Sequence, residues 1–349
     1  MKIAILNDTH TGIRNSADIF LDNAAQFYNE TFFPYLKKHG IKQIIHLGDY
    51  YDNRKAINIK ALYHNRKNFL EPLRDAGISM DVITGNHDTY FKDTNTPNSL
   101  KELLGFFVNE VAIIERPTVL EYGSVKVALL PWIASDNEEE SLRFIANTKA
   151  DILGGHLELK GFQMQKGIIS DHGLDKGLFR NFDRVLSGHY HTKSTTGQFS
   201  YLGSQLEFFW SDCNDRKYFH VLDTEDGSLT PVRNPHTLFK KIIYDDVKYD
   251  FTTAPDFTGH FVKVIVTNKT NPKMFEDFIE QIHTQNLHGL SIGDNFEMII
   301  NNHDSDVSVD DTQTLLEEYI DGLDINLEKS ILKENMRDLY IQAQSLEVL

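Results

Sequence analysis

At 349 residues the chain is long enough for about two domains and a sizeable core, which excludes a small stapled fold; its single cysteine, Cys213, rules out both a disulfide framework and a thiolate zinc site. Lys plus Arg number 35 against 51 Asp plus Glu, a net charge of −16 that argues against a charge-driven nucleic-acid coat protein. Residues 301–349 hold twelve of the acids and three of the bases, so they carry −9 and the first 300 residues only −7. No run approaches about 18 apolar residues, and the N-terminal MKIAILND turns polar at Asn7. A soluble, cytoplasmic protein without membrane association is expected, in a bacterium or in the host cytoplasm if a phage encodes it.

Taken in chain order, short β-branched runs alternate with helical periodicity, the pattern of a layered α/β fold. Ile3 to Leu6 reads as a buried strand. A helix follows over Ala17 to His39, with Phe20, Leu21, Ala24, Phe27, Tyr28 and Phe32 spaced by three and four and Gly40 as its stop. Gln43 to Leu47 is the next strand, Ile57 to Ala76 the next helix, stopped by Gly77, and Met80 to Thr84 the third strand. Val125 to Leu130, Ile152 to Gly154, Arg184 to Ser187, Phe199 to Leu202 and Tyr218 to Asp223 complete the strands of a first domain spanning residues 1–235.

Asn234-Pro235 marks a boundary. Residues 236–300 then read as a small α+β module, with strands Lys241 to Asp245, Phe261 to Thr267 and Phe296 to Ile300 and a helix from Pro272 to Leu287. NNHDSDVSVDD, residues 301–311, has few apolar groups and reads as a linker. Residues 312–349 read as two amphipathic helices whose apolar stripe would suit a partner surface.

Five short motifs sit directly after apolar runs: Asp8-Thr9-His10, Gly48-Asp49, Gly85-Asn86-His87-Asp88, Gly155-His156 and Gly188-His189-Tyr190-His191. Loops at strand C-termini of such folds collect on one sheet edge, so the five segments form one site. Two Asp, one Asn and four His offer oxygen and imidazole ligands, a set suited to Mn²⁺, Fe²⁺ or Zn²⁺. They suffice for two ions if one carboxylate bridges, and paired divalent ions suit phosphoester hydrolysis. One His after a Gly would be an ordinary polar residue; the series as a whole is specific. His46, His64, His172 and His220 read as structural or surface residues.

This ordered series resembles that of the calcineurin-like metallophosphoesterases, whose fold is a layered β-sandwich flanked by helices. The resemblance implies that Asp8, His10, Asp49 and His191 hold one metal and Asp49, Asn86, His156 and His189 the second, with Asp49 bridging. It implies that His87 is the general acid and that Asp52 orients it. Within the superfamily, Gly48 to Ile57, Val82 to Asp88, Leu130-Pro131-Trp132, Gly155 to Phe162 and Leu315 to Ile320 are most similar to the double-strand-break repair nuclease subunits of the SbcD and meiotic-recombination type, nearest their T-even bacteriophage branch. Asn53-Arg54 and Asp88 depart from the protein phosphatases.

The resemblance implies a nuclease that uses two divalent ions, Mn in first place with Mg, Fe or Zn as alternatives. It implies DNA as substrate and an SbcC-like ABC-type ATPase docked on the C-terminal helices, with residues 236–300 as a capping domain. It further implies a homodimer through residues 17–33 and 57–76, where Phe20, Phe27, Phe32 and Phe33 offer aromatic surface. Arg14, Arg54, Lys55, Lys92, Lys160, Lys166 and Lys193, one or two after each motif, can make the active edge locally positive, so DNA binding should be weak and salt-sensitive. The competing readings are a small-molecule or nucleotide phosphodiesterase and a DNA-end-tethering scaffold with secondary hydrolysis.

Overall fold

Alternate residues of the first strand, Lys2–Leu6, face opposite ways, and both faces are buried. Ile3 and Ile5 join Ile45, Leu47, Val127, Leu129, Leu186 and Leu222 in a core between two sheets. Ala4 and Leu6 face the other way, toward Phe27, Phe32, Phe69 and Leu73 on covering helices. The computed structural model describes residues 1–294 except 108, 166, 167 and 171, together with Lys329 and Lys333. The chain divides into two units, Met1–Asn295 and Phe296–Leu349, and the sheets and the site lie in the first.

One six-stranded sheet runs in the order Leu229–Arg233, Tyr218–Asp223, Lys2–Leu6, Gln43–His46, Ser79–Ile83, Val111–Ile114. From Lys2–Leu6 onward these strands are parallel. The second six-stranded sheet runs Ser194–Thr196, Phe199–Tyr201, Arg184–Ser187, Ile152–Gly155, Val125–Leu130, Thr118–Tyr122. Its four middle strands are parallel. Their outer face packs on Ile145, Phe179 and Phe182, and the result is the expected layered α/β sandwich.

Both expected helix stops occur: Gly40 and Gly77 adopt φ of 66° and 59°, a region open to glycine at no steric cost. The second helix begins at Ile59 rather than Ile57, because the Asn58 side chain accepts the Lys60 N–H at 2.8 Å and so caps it. The aromatic cluster of the first helix differs from expectation. Phe27 and Phe32 are fully buried and Phe20 and Phe33 partly so, packed against the sheet core, so they leave little surface for a second chain. The exposed large apolar residues of this region are Ile59 and Tyr63. Short elements such as Ser99–Leu104, Thr118–Tyr122 and Leu229–Arg233 have no counterpart in the expected pattern, because five or six residues are too few to set a period.

After residue 235, Phe239–Asp245, Phe261–Asn268 and Gly289–Asp294 form a three-stranded parallel sheet with the helix Pro272–His283 on one face. Gly289–Asp294 closes it; two glycines hid this strand from the pattern. The strand expected at Phe296 to Ile300, the linker 301–311 and the helices of 312–349 lie outside the described residues, apart from helical Lys329 and Lys333. Among the described residues no helix is long and apolar enough to cross a membrane.

Candidate metal centre

The strands Lys2–Leu6, Gln43–His46 and Ser79–Ile83 of one sheet and Ile152–Gly155 and Arg184–Ser187 of the other end at the same edge, and each delivers a motif there. Several of these residues turn sharply at the strand end: Asp8, His10, Asp49 and His189 have φ of 47°, 41°, 52° and 84°. Non-glycine residues rarely take this left-handed conformation, and such strain concentrates at functional sites. Glycines allow the loops to close on one another. A Cβ on Gly85 would lie 2.2 Å from Asp49 Oδ1, and one on Gly188 2.7 Å from the Leu47 carbonyl oxygen.

All seven expected ligand residues come together. Asp8, His10 and His191 form one cluster and Asp49, His156 and His189 another, each with its ligand atoms within 4.8 Å; His87 lies equally close to His10 and Asp49. In the first, His10 Nε2 lies 3.0 Å from His191 Nε2. In the second, Asn86 Oδ1 lies 2.9 Å from His156 Nε2 and 3.0 Å from His189 Nδ1. Asp49 Oδ2 stands between the two groups, 3.2 Å from His156 Nε2 and 3.7 Å from His10 Nε2.

Hydrogen bonds behind the cluster fix which atoms face it. The Leu47 carbonyl, 2.8 Å from His156 Nδ1, can only accept, so Nδ1 carries the hydrogen and a neutral ring turns the bare Nε2 toward Asn86 Oδ1 and Asp49 Oδ2. A nitrogen lone pair aimed at two oxygens is stable only with a cation between them, a proton or a metal ion. The all-oxygen-and-imidazole donor set fits a divalent transition-metal ion. The residues present therefore suit a metal pair.

The same crowding moves the protonation equilibria. Burial would raise Asp49, but His156, His87 and His10 around it hold its carboxyl well below the usual carboxylate range. Burial lifts Asp8, helped by the Asp49 charge and opposed by His156 and His10. Burial disfavours charged His10 and His156, yet the neighbouring carboxylates, chiefly Asp52 and Asp49 for the first and Asp49 for the second, push both up to about 9. His189 is driven down to about 3 by burial and by the His156 charge.

His87 stands where expected, but Asp52 holds it differently. The Asp52 carbonyl oxygen, not its carboxylate, lies 2.6 Å from His87 Nδ1, while Asp52 Oδ1 lies 3.3 Å from His10 Nδ1. The carboxylate therefore lies beside the His10 imidazole, and the main chain orients His87. The cause is the crossing of two loops: the Asp52 N–H donates to the Thr11 carbonyl at 3.2 Å, which ties this turn to the His10 loop. As expected, His46 and His220 are buried structural residues and His172 is exposed.

Other residues of the site escaped the pattern. Buried Asp88 accepts N–H groups from Tyr50, Tyr51 and Gly85 at 3.0, 3.1 and 2.8 Å, so one carboxylate ties the Asp49 loop to the Asn86 loop; burial and the Asp49 charge push it up to about 7. Its position beside His87 was the available signal. Phe208 packs edge-on against His10 and His191, with both ring centroids 5.5 Å away. Buried Lys217 donates to the His191 carbonyl at 3.0 Å and to Asp212 Oδ1 at 2.5 Å. Nothing in the spacing of these residues announced the last two contacts.

This sandwich and this ligand cluster define a metallophosphoesterase. The chain belongs to the calcineurin-like phosphoesterase family, whose pattern matches residues 1–193. It is 34% identical to exonuclease subunit 1 of Enterobacteria phage T4 over 98% of this chain and 99% of that one. It is also similar to the SbcD component of the SbcCD nuclease of Staphylococcus epidermidis, at 26% identity over 66% of this chain and 67% of the relative, and to that of Staphylococcus saprophyticus, at 23% over the same shares.

Proposed function

We propose that this chain is the nuclease subunit of an SbcCD-like repair and recombination complex, hydrolysing DNA phosphodiester bonds. The observation that carries the reading is the convergence of seven oxygen and imidazole ligands on one sheet edge with His87 beside them. The relatives support the substrate class, being named as an exonuclease subunit and as nuclease subunits.

Asp8, His10, Asp49 and His191 would hold one divalent ion and Asp49, Asn86, His156 and His189 the other; the donor set suits Mn²⁺, Fe²⁺ or Zn²⁺, and the resemblance to the repair nucleases puts Mn²⁺ first. Such a pair supplies Lewis acidity to the phosphate and its attacking water at neutral pH. The chain's own contribution is positional. The Asp52 carbonyl keeps the hydrogen of His87 on Nδ1, which leaves Nε2 to carry the proton given to the departing oxygen. Asp52 Oδ1, 3.3 Å from His10 Nδ1, places a negative charge beside that imidazole. Asp88 holds the two loops that present Asp49 and His87 at a constant separation.

His87→Ala tests the assignment with Mn²⁺ and linear DNA. Metal content and DNA affinity should persist while cleavage slows about 10²–10⁴-fold, the span of general acids. Unchanged cleavage would refute the acid; activity on a nucleotide diester but on no DNA would favour the small-molecule phosphodiesterase. The remaining assembly belongs to the same proposal: residues 236–300 cap the nuclease domain, residues 312–349 dock on an ABC-type ATPase, and two copies pair through the second of the two candidate segments, residues 57–76, because the aromatic side chains of residues 17–33 are taken up by the core. Exposed Ile59 and Tyr63 support the second pairing segment. Deleting residues 312–349 should abolish ATPase association and spare hydrolysis of a small diester; retained association would refute the docking role, and failure of the truncated chain to fold would favour helices packed on the chain's own core.

A further inference from the structure

Just past His10 the backbone makes an unusual turn. Gly12, Arg14, Asn15 and Ser16 have φ of 94°, 54°, 54° and 60°, all left-handed. Non-glycine residues are strained in that region, and a run of three persists only where the surroundings over-determine it. The turn sets the Arg14 guanidinium on the Phe209 ring, with Cζ 4.6 Å from its centroid, while Nε donates to the Phe208 carbonyl at 3.3 Å. Phe209 in turn lies nearly parallel to His191, at 14° and 6.3 Å. The guanidinium is thus within about 11 Å of a ligand imidazole, the two steps of 4.6 and 6.3 Å end to end.

The platform beneath Arg14 is built into the core. Asp212 Oδ2 accepts the N–H groups of Phe208 and Phe209 at 2.8 and 3.0 Å, and Asp212 Oδ1 pairs with buried Lys217. Nε and one face of Arg14 are therefore committed, and the side chain is otherwise exposed. Among the described residues no carboxylate forms an ion pair with it, which is notable in a chain of net charge −16. A fixed, exposed guanidinium fork with no acid beside it matches the geometry of a phosphate group.

We propose that Arg14 is a binding site for a non-scissile phosphate of the DNA strand, next to the phosphate being cut. This rests on the nuclease reading above and deepens it: the enzyme grips the strand beside the metal pair through one strained arginine, and so prefers a polynucleotide to an isolated diester. Phe209 holds the flat side of the guanidinium and the Phe208 carbonyl sets its rotation. The strain of the turn is the cost of aiming it.

The test uses the full chain with Mn²⁺, a labelled DNA oligonucleotide and bis(4-nitrophenyl) phosphate. Arg14→Gln should raise KM for DNA about tenfold or more, as expected for a lost charged hydrogen bond, with kcat changed less than about threefold. The slope of log affinity against log salt should become shallower by about 0.7–0.9. Arg14→Lys should restore the slope but not KM, since a point charge neither stacks nor forks. Wild-type KM and slope in Arg14→Gln would overturn the inference. If Arg14→Gln fails to fold, Arg14→Lys decides: a severalfold rise in KM supports the inference and a wild-type KM overturns it. Wild-type protein that cleaves the small diester and no form of DNA would sink the nuclease reading and this one together, whereas DNA cleavage insensitive to Arg14 would sink this one alone.

Discussion

Gly85→Ala tests how tightly the Asn86 loop is built onto Asp49. A Cβ at Gly85 would stand 2.2 Å from both the backbone N and Oδ1 of Asp49, where real Cβ contacts essentially never fall below 3.0 Å, so one partner must retreat by about 0.8 Å. Neither partner is a flexible side-chain end. The Asp49 carboxylate accepts the His87 N–H at 2.8 Å, and Asp88 ties the Gly85 N–H to the same loop at 2.8 Å. Gly85 is not left-handed, so the cost is steric alone. Overpacking of this size costs about 1–3 kcal/mol of stability, and a displacement near 1 Å at a reacting centre costs about 10²-fold in rate. Initial rates on bis(4-nitrophenyl) phosphate across a Mn²⁺ titration, paired with denaturant unfolding, measure both. Gly105→Ala is the control, because a Cβ there meets nothing within 4 Å. A Gly85→Ala rate within about threefold of wild type, at unchanged metal dependence, would refute the claim that this contact sets the position of Asp49.

Lys217→Met leaves Asp212 buried without its cation and removes the donor to the His191 carbonyl. Denaturant unfolding should show a loss of about 3–5 kcal/mol, partly recovered by adding Asp212→Asn; a loss under about 1 kcal/mol would contradict the ion pair's role. His220 lies on the same sheet face as its register partner Ile5, in the core between the two sheets, and its ring nitrogens have no hydrogen-bond partner among the described residues. Burial, aided by the Lys193 charge, drives it down to about 3 from an ordinary 6.5. The unfolded chain then binds the extra proton below pH 6.5, so this residue costs nothing at neutral pH and removes up to about 1.4 kcal/mol per pH unit as pH falls from 6.5 toward 3. His220→Leu should flatten the acid limb of the stability profile by that slope, and an unaltered limb would count against the role of burial.

Much of the site was legible because its logic is local. A Gly, Asp, Asn or His directly after an apolar run must leave a strand at its C-terminal end, and parallel strands put those ends on one edge. Strand Lys2–Leu6, the glycine stops at Gly40 and Gly77 and the gathering of the seven candidate ligands all follow from patterns a few residues long. Other features depend on residues far apart in sequence, which no periodicity encodes. The partner of the Asp52 carboxylate is His10, 42 positions earlier, because the Thr11 carbonyl captures the Asp52 N–H; the bracing of His191 comes from Lys217, 26 positions later. The first helix likewise had more aromatic residues than one apolar stripe needs, and only the sheet beneath it showed that Phe27 and Phe32 are consumed by the core. Short-range chemistry therefore determined which residues this protein brings to its active edge. Long-range packing, in which each buried polar group takes whatever partner the crossing chain offers, decided which atoms hold them there and turned Arg14 outward.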